Sequence, residues 1–419
     1  MMEPKQFLTE LFQVAVTAAD PMQTLATELP EKPAKRILVI GAGKASARMA
    51  EAVEAHWGPC EGLVITRYGY ARPCKGIEIV EAAHPVPDLA GLNSTNRMLE
   101  LVKGAGENTF ILALISGGAS ALLTSPAGRI TLEEKQKLNS DLLASGAPIT
   151  QMNIVRKHLS NVKGGQLAAA SYPAELLSLM ISDIPGDDPA FIGSGPTVGD
   201  DSTVEDAKAI IEKYKIDIPS SVEAALSKPS GVVKTADLRL SKTTNLIYAA
   251  PSQSLAAAKQ VAEKAGCEVI ILGDDLEGEA RELALQQIKL AKEVALKPMT
   301  RPVLILSGGE VTVTKRGNGI GGPNAEYTLA AAIAADGHPQ IHLLACDTDG
   351  VDGAAEVAGA YAGPDTLERA RLEKISAEQS LENNDAHNFF AAIQSQIITG
   401  PTLTNVNDFR AILVIPKEA

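Results

Sequence analysis

Arg36-Ile-Leu-Val-Ile40 runs directly into Gly41-Ala-Gly43-Lys44-Ala-Ser46, and from Lys44 to His56 the apolar positions then repeat at helical spacing. A continuous apolar run, a glycine turn and an amphipathic helix spell strand, tight turn, helix. The same grammar returns at Phe110-Ile-Leu-Ala-Leu-Ile115 before Ser116-Gly117-Gly118-Ala-Ser120, and at Val303-Leu-Ile-Leu306 before Ser307-Gly308-Gly309-Glu310. Apolar strands alternating with helices indicate an α/β protein with parallel sheets covered on both faces. Further strands are expected at 63–66, 77–80, 176–181, 246–248, 268–272, 341–344 and 411–415, with a helix over 7–19.

A chain of 419 residues exceeds what one core usually serves. We place a boundary in the turn-rich stretch Lys228-Pro-Ser-Gly-Val-Val-Lys-Thr-Ala-Asp237, giving domains 1–237 and 238–419. The net charge of -13 argues against a general nucleic-acid or anionic-membrane surface, and an aromatic content of 4% argues against a base-stacking one. Four scattered cysteines without a CxxC pair, no secretory leader and no membrane-length apolar run point to a soluble cytoplasmic enzyme.

In α/β sheets ligands collect at the carboxyl ends of the strands, so the turns carry the functional reading. The Gly41/Gly43 turn lacks the third glycine of a dinucleotide fingerprint, Ser46 standing there, and the next strand ends in Thr66-Arg67 rather than an acid. Lys44 near a helix N-terminus opposes the helix dipole unless an anion is present. Ser116, Gly117, Gly118 and Ser120 form a second candidate anion turn. His84-Pro-Val-Pro-Asp88 could present His84 or use Asp88 as a cap. Arg156, Lys157 and Lys163 are a basic concentration in an acidic chain, with Arg156 and Lys163 expected on one helix face. Asp183 follows an apolar strand and is favoured over Asp187 and Asp188 as base or magnesium contact. Near the C-terminus, Gly317-Asn-Gly319-Ile-Gly321-Gly322-Pro-Asn324-Ala-Glu326 reads as an anion cradle, followed by Asp347-Thr-Asp349-Gly-Val-Asp-Gly353.

The order of these motifs resembles the glycerate 2-kinases with a C-terminal MOFRL domain, some of which carry a hydroxypyruvate reductase label. The carriers are GAGKAS at Gly41, AAHPVPD at Ala82, LISGGASALL at Leu114, NIVRKHLSNVKGGQLA at Asn153 and SDIPGDDPAFIGSGPT at Ser182. They continue with SGGE at Ser307, GNGIGGPNAE at Gly317, DTDGVDG at Asp347 and ITGPTLTNVND at Ile398. The resemblance implies a Rossmann-like three-layer N-terminal domain, a mixed-sheet α/β second domain and an active site in the interdomain cleft. It implies transfer of the ATP γ-phosphoryl group to the 2-hydroxyl of D-glycerate with Mg²⁺, and leaves a homodimer open. Carried over by position, Lys44, Asp183 and Asp349 are catalytic, with the choice between Asp183 and Asp349 as base left open; Asp347, which replaces a common glycine, either joins Asp349 toward the metal or repels a second carboxylate and changes which acid fits. Gly41, Gly43, Ser116, Gly117, Gly118, Ser120, Arg156, Lys163, Gly308, Glu310, Gly319, Gly321, Gly322, Asn324 and Glu326 fall to substrate or nucleotide. Where many relatives have an arginine this chain has Pro323, and Arg316 is the nearest substitute cation. The rival readings are an NAD(P)H-dependent hydroxypyruvate reductase and a kinase of another small hydroxy acid.

Overall fold

A computed structural model describes residues 3–353 and 355–417 as two compact units. The first comprises Pro21–Ser182 and Asp187–Tyr248. Its sheet is built from β1 (Arg36–Ala42), β2 (Glu61–Arg67), β3 (Ile77–Ala82), β4 (Thr109–Ile115), β5 (Glu175–Ile181) and β6 (Thr243–Ala249), in the order β3-β2-β1-β4-β5-β6. The pairs β3/β2, β2/β1, β1/β4 and β4/β5 are parallel. This is the doubly wound strand order, whose direction reverses between β1 and β4. The turns that leave those two neighbouring strands are therefore placed side by side by topology alone.

The second unit takes Ala249 onward, the described residues up to Asp20, and the short segment Asp183–Gly186. Its strands are β7 (Glu268–Ile271), β8 (Gly278–Glu279), β9 (Val303–Ser307), β10 (Val311–Thr312), β11 (Ile341–Asp347), β12 (Gly359–Ala362), β13 (Gln396–Ile397) and β14 (Asp408–Val414). The main sheet runs β13-β12-β11-β14-β9-β7, with β8 and β10 forming a parallel pair of their own. Only β7/β9 is parallel; β9/β14, β14/β11, β11/β12 and β12/β13 are antiparallel. Strand periodicity had pointed to parallel pairing here. Both faces of this sheet are buried, so β14 is buried at every position and apolar without a break from Ala411 to Val414, with none of the in-and-out alternation by which an antiparallel sheet is usually recognised.

Alternate residues of the same strands feed two cores. Val303, Ile305, Leu343, Ala345, Ile412 and Val414 pack with the helices Ala280–Ala295 and Pro323–Ala335. Leu304, Leu306, Leu344, Cys346, Ala411 and Leu413 pack with the helices Pro4–Ala18 and Pro251–Lys264. The N-terminal helix thus belongs with the C-terminal sheet: Phe7, Leu8, Leu11, Phe12 and Ala15 are all buried there, and the Phe12 ring lies 5.9 Å from that of Phe409. Each of the leucine and phenylalanine side chains contributes about 1.5–3 kcal/mol by leaving water. The boundary expected at 237/238 also falls before β6, which completes the first sheet beside β5. Among the described residues no helix is long and apolar enough to cross a membrane.

One buried ion pair ties the second unit together. Arg281 Nε donates to Glu326 Oε1 at 2.6 Å and its Nη2 to the Leu381 carbonyl, while Asn384 Nδ2 donates to Glu326 Oε2 at 2.9 Å. Replacing Arg281 by Leu strands the fully buried Glu326 carboxylate. Urea unfolding should show a loss of about 3–5 kcal/mol, whereas R281L combined with E326L should recover much of it.

Candidate functional site

At the reversal point of the first sheet, the turn after β1 is fastened to the turn after β4. Gly43 N donates to the Ile65 carbonyl (3.1 Å), Lys44 N to the Gly117 carbonyl (2.8 Å) and Ala45 N to Ser116 Oγ (3.0 Å). Ser46 Oγ donates to the Leu114 carbonyl (2.9 Å) and lies 3.2 Å from Ser116 Oγ. Thr66 Oγ1, at the end of β2, donates to the Gly43 carbonyl (3.1 Å). The amides that would face a pyrophosphate in a dinucleotide turn are thus spent inside the protein, and what the turn delivers is the Lys44 side chain. Gly43, at φ +143°, must be glycine, because a Cβ there would lie 2.0 Å from Ser116 Oγ.

Three sequence-expected groups converge at this point. A Cβ on Gly118 would lie 3.0 Å from the His84 ring and 3.2 Å from Lys44 Cγ, so lysine, imidazole and glycine turn are in contact. Asp88 serves instead as the N-cap of the Leu89–Lys103 helix, accepting from Gly91 N at 3.0 Å. Likewise Asp188 Oδ1 accepts from Ala190 N in its own turn.

From the second turn a polar chain leads to the basic segment. Ser120 Oγ lies 2.9 Å from Ser194 Oγ, Ser194 Oγ donates to Asn153 Oδ1 (3.3 Å), and Arg156 Nη1 donates to the same oxygen (3.3 Å). Lys163 Nζ donates to the Ser120 carbonyl, Ser120 Oγ and the Gly193 carbonyl at 2.9, 3.2 and 3.1 Å. Arg156 and Lys163 do not share a helix face as the spacing had suggested. The Ile149–His158 helix ends first, and Lys163 stands in the turn before the Gln166–Ser171 helix. They are linked nonetheless through Asn153, Ser194 and Ser120, and Lys135, which the sequence reading passed over, lies close enough to add its charge to theirs. Lys157 is different in kind, since it pairs with Asp200 at 2.5 Å. Burial, reinforced by Arg156, brings the Lys135 ammonium down to about 8. Burial, reinforced by Lys135, Arg156 and Lys157, pushes Lys163 well below the ordinary lysine value.

In the second unit the carboxylates gather around one asparagine-rich loop. Asn405 Nδ2 donates to Asp183 Oδ2 (2.9 Å) and Asn407 Nδ2 to the Asp183 carbonyl (3.2 Å). The Asn407 carbonyl accepts from Thr348 N and Thr348 Oγ1, between Asp347 and Asp349. Asp349 N in turn donates to Asp347 Oδ1 (2.9 Å), and Asp349 Oδ1 accepts from Val351 N (2.8 Å). Asn405 and Asn407 were quoted in the sequence only as part of a motif. Their signal was position, since they precede an apolar strand at its sheet end. Among the described residues no group of three or more His, Cys, Asp or Glu side chains is arranged to hold a metal. Asp347 and Asp349 stand two residues apart, at and just past the end of β11, and the bonds from Asp349 N and Val351 N engage one oxygen of each.

The glycine-rich stretch 317–322 departs most from expectation. Gly317 N donates to Asn384 Oδ1, Asn318 N to Asn383 Oδ1, Gly319 N to the Asn383 carbonyl and Ile320 N to Asp385 Oδ1. A Cβ would lie 2.4 Å from Asp385 Cβ at Gly319 and 2.4 Å from Asp352 Cγ at Gly322. The glycines permit close packing against 383–385 and Asp352. The following helix N-terminus already holds an anion: Asp352 Oδ1 and Oδ2 accept from Asn324 N (2.9 Å) and Ala325 N (2.8 Å). Pro323 is the first residue of that helix, where its missing N–H costs nothing, which accounts for its fit in place of the usual arginine. The Asn324 and Glu326 side chains are buried and bonded to Asp408 and Arg281, and the Gly308 carbonyl accepts from Arg410. Gly321 packs on Asn384; Glu310 and Arg316 are exposed. Gly41 is buried at the end of β1, where it packs on the Leu114 backbone.

Residues 7–227 match the family described as a domain of unknown function (DUF4147), and residues 303–408 match the MOFRL family. An Agrobacterium vitis protein carrying a hydroxypyruvate reductase name is 47% identical, over 98% of this chain and 94% of its own. The D-glycerate 2-kinase of Thermotoga maritima is 38% identical, over 98% of each chain. The crystal structure of glycerate kinase from the same organism superimposes with a TM-score of 0.88 at 37% identity, covering 98% of this chain and 99% of its own.

The seam between the two turns makes a direct prediction. Gly43→Ala should cost about 2 kcal/mol or more, read as a lowered midpoint in thermal unfolding. The neighbouring Ala42→Gly, which forces no collision, should cost less.

Proposed function

Because the chain belongs to the glycerate 2-kinase family, pairing the DUF4147 domain with a MOFRL domain, we propose that it phosphorylates D-glycerate at the 2-hydroxyl with ATP. The observation that carries this reading is the turn after β1, which sets Lys44 against the Gly117–Gly118 turn at the sheet's reversal point while its amides are bonded internally. A hydride-transferring dinucleotide enzyme needs the opposite arrangement, with open amides for the pyrophosphate and an acid after β2 for the ribose. Here that strand end is Thr66, bonded to Gly43.

In the reaction, the hydroxyl oxygen attacks the γ-phosphorus as the bond to the ADP oxygen breaks, and the hydroxyl proton passes to a carboxylate. Asp183, oriented by Asn405, is suited to take that proton. Lys44 neutralises charge on the phosphoryl oxygens, and His84, against Gly118, stands where it can donate to the same anion. Asp347 and Asp349 are the residues that would hold magnesium, which when bound offsets phosphate charge. Phosphoryl transfer depends mainly on such positioning and charge stabilisation, so loss of one well-placed cation is costly.

A coupled assay that follows ADP with D-glycerate, run beside one that follows NADH with hydroxypyruvate, tests the proposal. Turnover is expected only in the first. Lys44→Met should lower its kcat/KM about a hundredfold or more, with unfolding midpoint close to wild type. Hydroxypyruvate-dependent NADH oxidation without ADP formation would sink the reading.

A further inference from the structure

The molecule carries a net charge of -13, yet among the described residues Lys135, Arg156 and Lys163 of the first unit pair with no carboxylate. Lys135 is 5% exposed and Lys163 1%. Lys163 uses its three protons on Ser120 and Gly193. The Lys135 ammonium donates to no protein acceptor among the described residues, and it is not one of their fully enclosed unpartnered atoms, so its tip keeps contact with solvent. Arg156 spends only Nε and Nη1, on Asn139 Oδ1 (3.4 Å) and Asn153 Oδ1 (3.3 Å), of the five N–H groups a guanidinium carries. Asn139, which accepts from Arg156, stands one helical turn after Lys135 on the Leu132–Ala144 helix, so Lys135 shares the helix face turned toward Arg156.

A lysine side chain buried along its length, with no protein acceptor on its ammonium, is costly, and neighbouring like charges in low dielectric add repulsion to the desolvation cost. A counter-charge arriving from outside would relieve that cost. We infer that Lys135 and Arg156, backed by Lys163 and rimmed by Asn153, Ser120 and Ser194, form a binding site for a phosphoryl oxyanion. Lys135 supplies a compact ammonium with all three donors available, Arg156 supplies the remaining guanidinium N–H groups, and Lys163 locks the turn that carries Ser120 while adding charge. The carriers of that oxyanion are the phosphate chain of ATP and the phosphorylated product, and this identification rests on the kinase reading. Lys135 is then a binding residue.

The experiment measures the rise of the thermal midpoint with inorganic phosphate, at ionic strength held constant with chloride, for wild type, Lys135→Met and Lys135→Arg. A ligand that binds only the folded state raises the midpoint in proportion to its occupancy. Wild type should show a saturable phosphate-dependent rise. K135M should start at an equal or higher midpoint, because an uncompensated charge is gone, and should need at least tenfold more phosphate. K135R should keep most of the wild-type response, and it carries the test should K135M not fold. Calorimetric titration then separates the sources. A tenfold or larger loss confined to ATP places the nucleotide's phosphates in the site, and one confined to 2-phosphoglycerate places the product's there. A wild-type protein without saturable phosphate response, or a K135M protein that matches wild type for phosphate, ATP and 2-phosphoglycerate, overturns the inference. The kinase reading is judged separately by ADP formation. Turnover with a phosphate-blind Lys135 defeats this inference alone, and phosphate binding without turnover defeats the other.

Discussion

Ser116 holds the first unit's functional end together. Its hydroxyl, with no exposure to solvent, accepts from Ala45 N and lies against Ser46, so that the turn after β4 forms the floor on which the turn after β1 rests. The hydrogen bonds are individually worth about 1 kcal/mol. Their effect is geometric: they settle where Lys44 emerges, which face of Gly118 meets His84, and where Ser120 stands to receive Lys163. A Cβ at Gly43 would wedge the two turns apart, and every later element of the site would shift with them.

The two glycine-rich regions of the chain, alike in composition, do different work. Around Gly43 and Gly118 the missing side chains let two strand ends approach and expose a lysine. Around Gly319 and Gly322 they let a loop lie flat on 383–385 and Asp352, and the amides of 317–320 and the start of the helix behind them are satisfied by the protein's own oxygens. Glycine content reports close approach of a backbone to something, and whether that neighbour is a ligand or another loop is a tertiary fact.

This difference explains how far the sequence could be read. The ten strands expected from apolar runs are all present, because each is a continuous buried stretch ending in a turn, and so is the placement of Asp183 just past β5. Strand direction in the second sheet was illegible because burial on both faces removes the alternation of β14 and β11. The N-terminal helix and β6 could not be assigned to their units, since what places them is packing of Phe12 against Phe409 and pairing beside β5, contacts between residues far apart in the chain. Asn405 and Asn407 act through the Asp183 backbone and side chain across a similar separation. Lys135 sits among charged neighbours on a helix and looks solvated until the fold buries it against Arg156.

The central claim is that this architecture directs a phosphoryl group, rather than a hydride, to the secondary hydroxyl of glycerate. Phosphorus NMR of the product formed from ATP and D-glycerate tests it most directly. The account predicts one new phosphomonoester resonance split by a single carbon-bound proton, that of the C2 methine. Splitting by two methylene protons would place the phosphoryl group on C3, and the absence of any phosphomonoester would contradict the account as a whole.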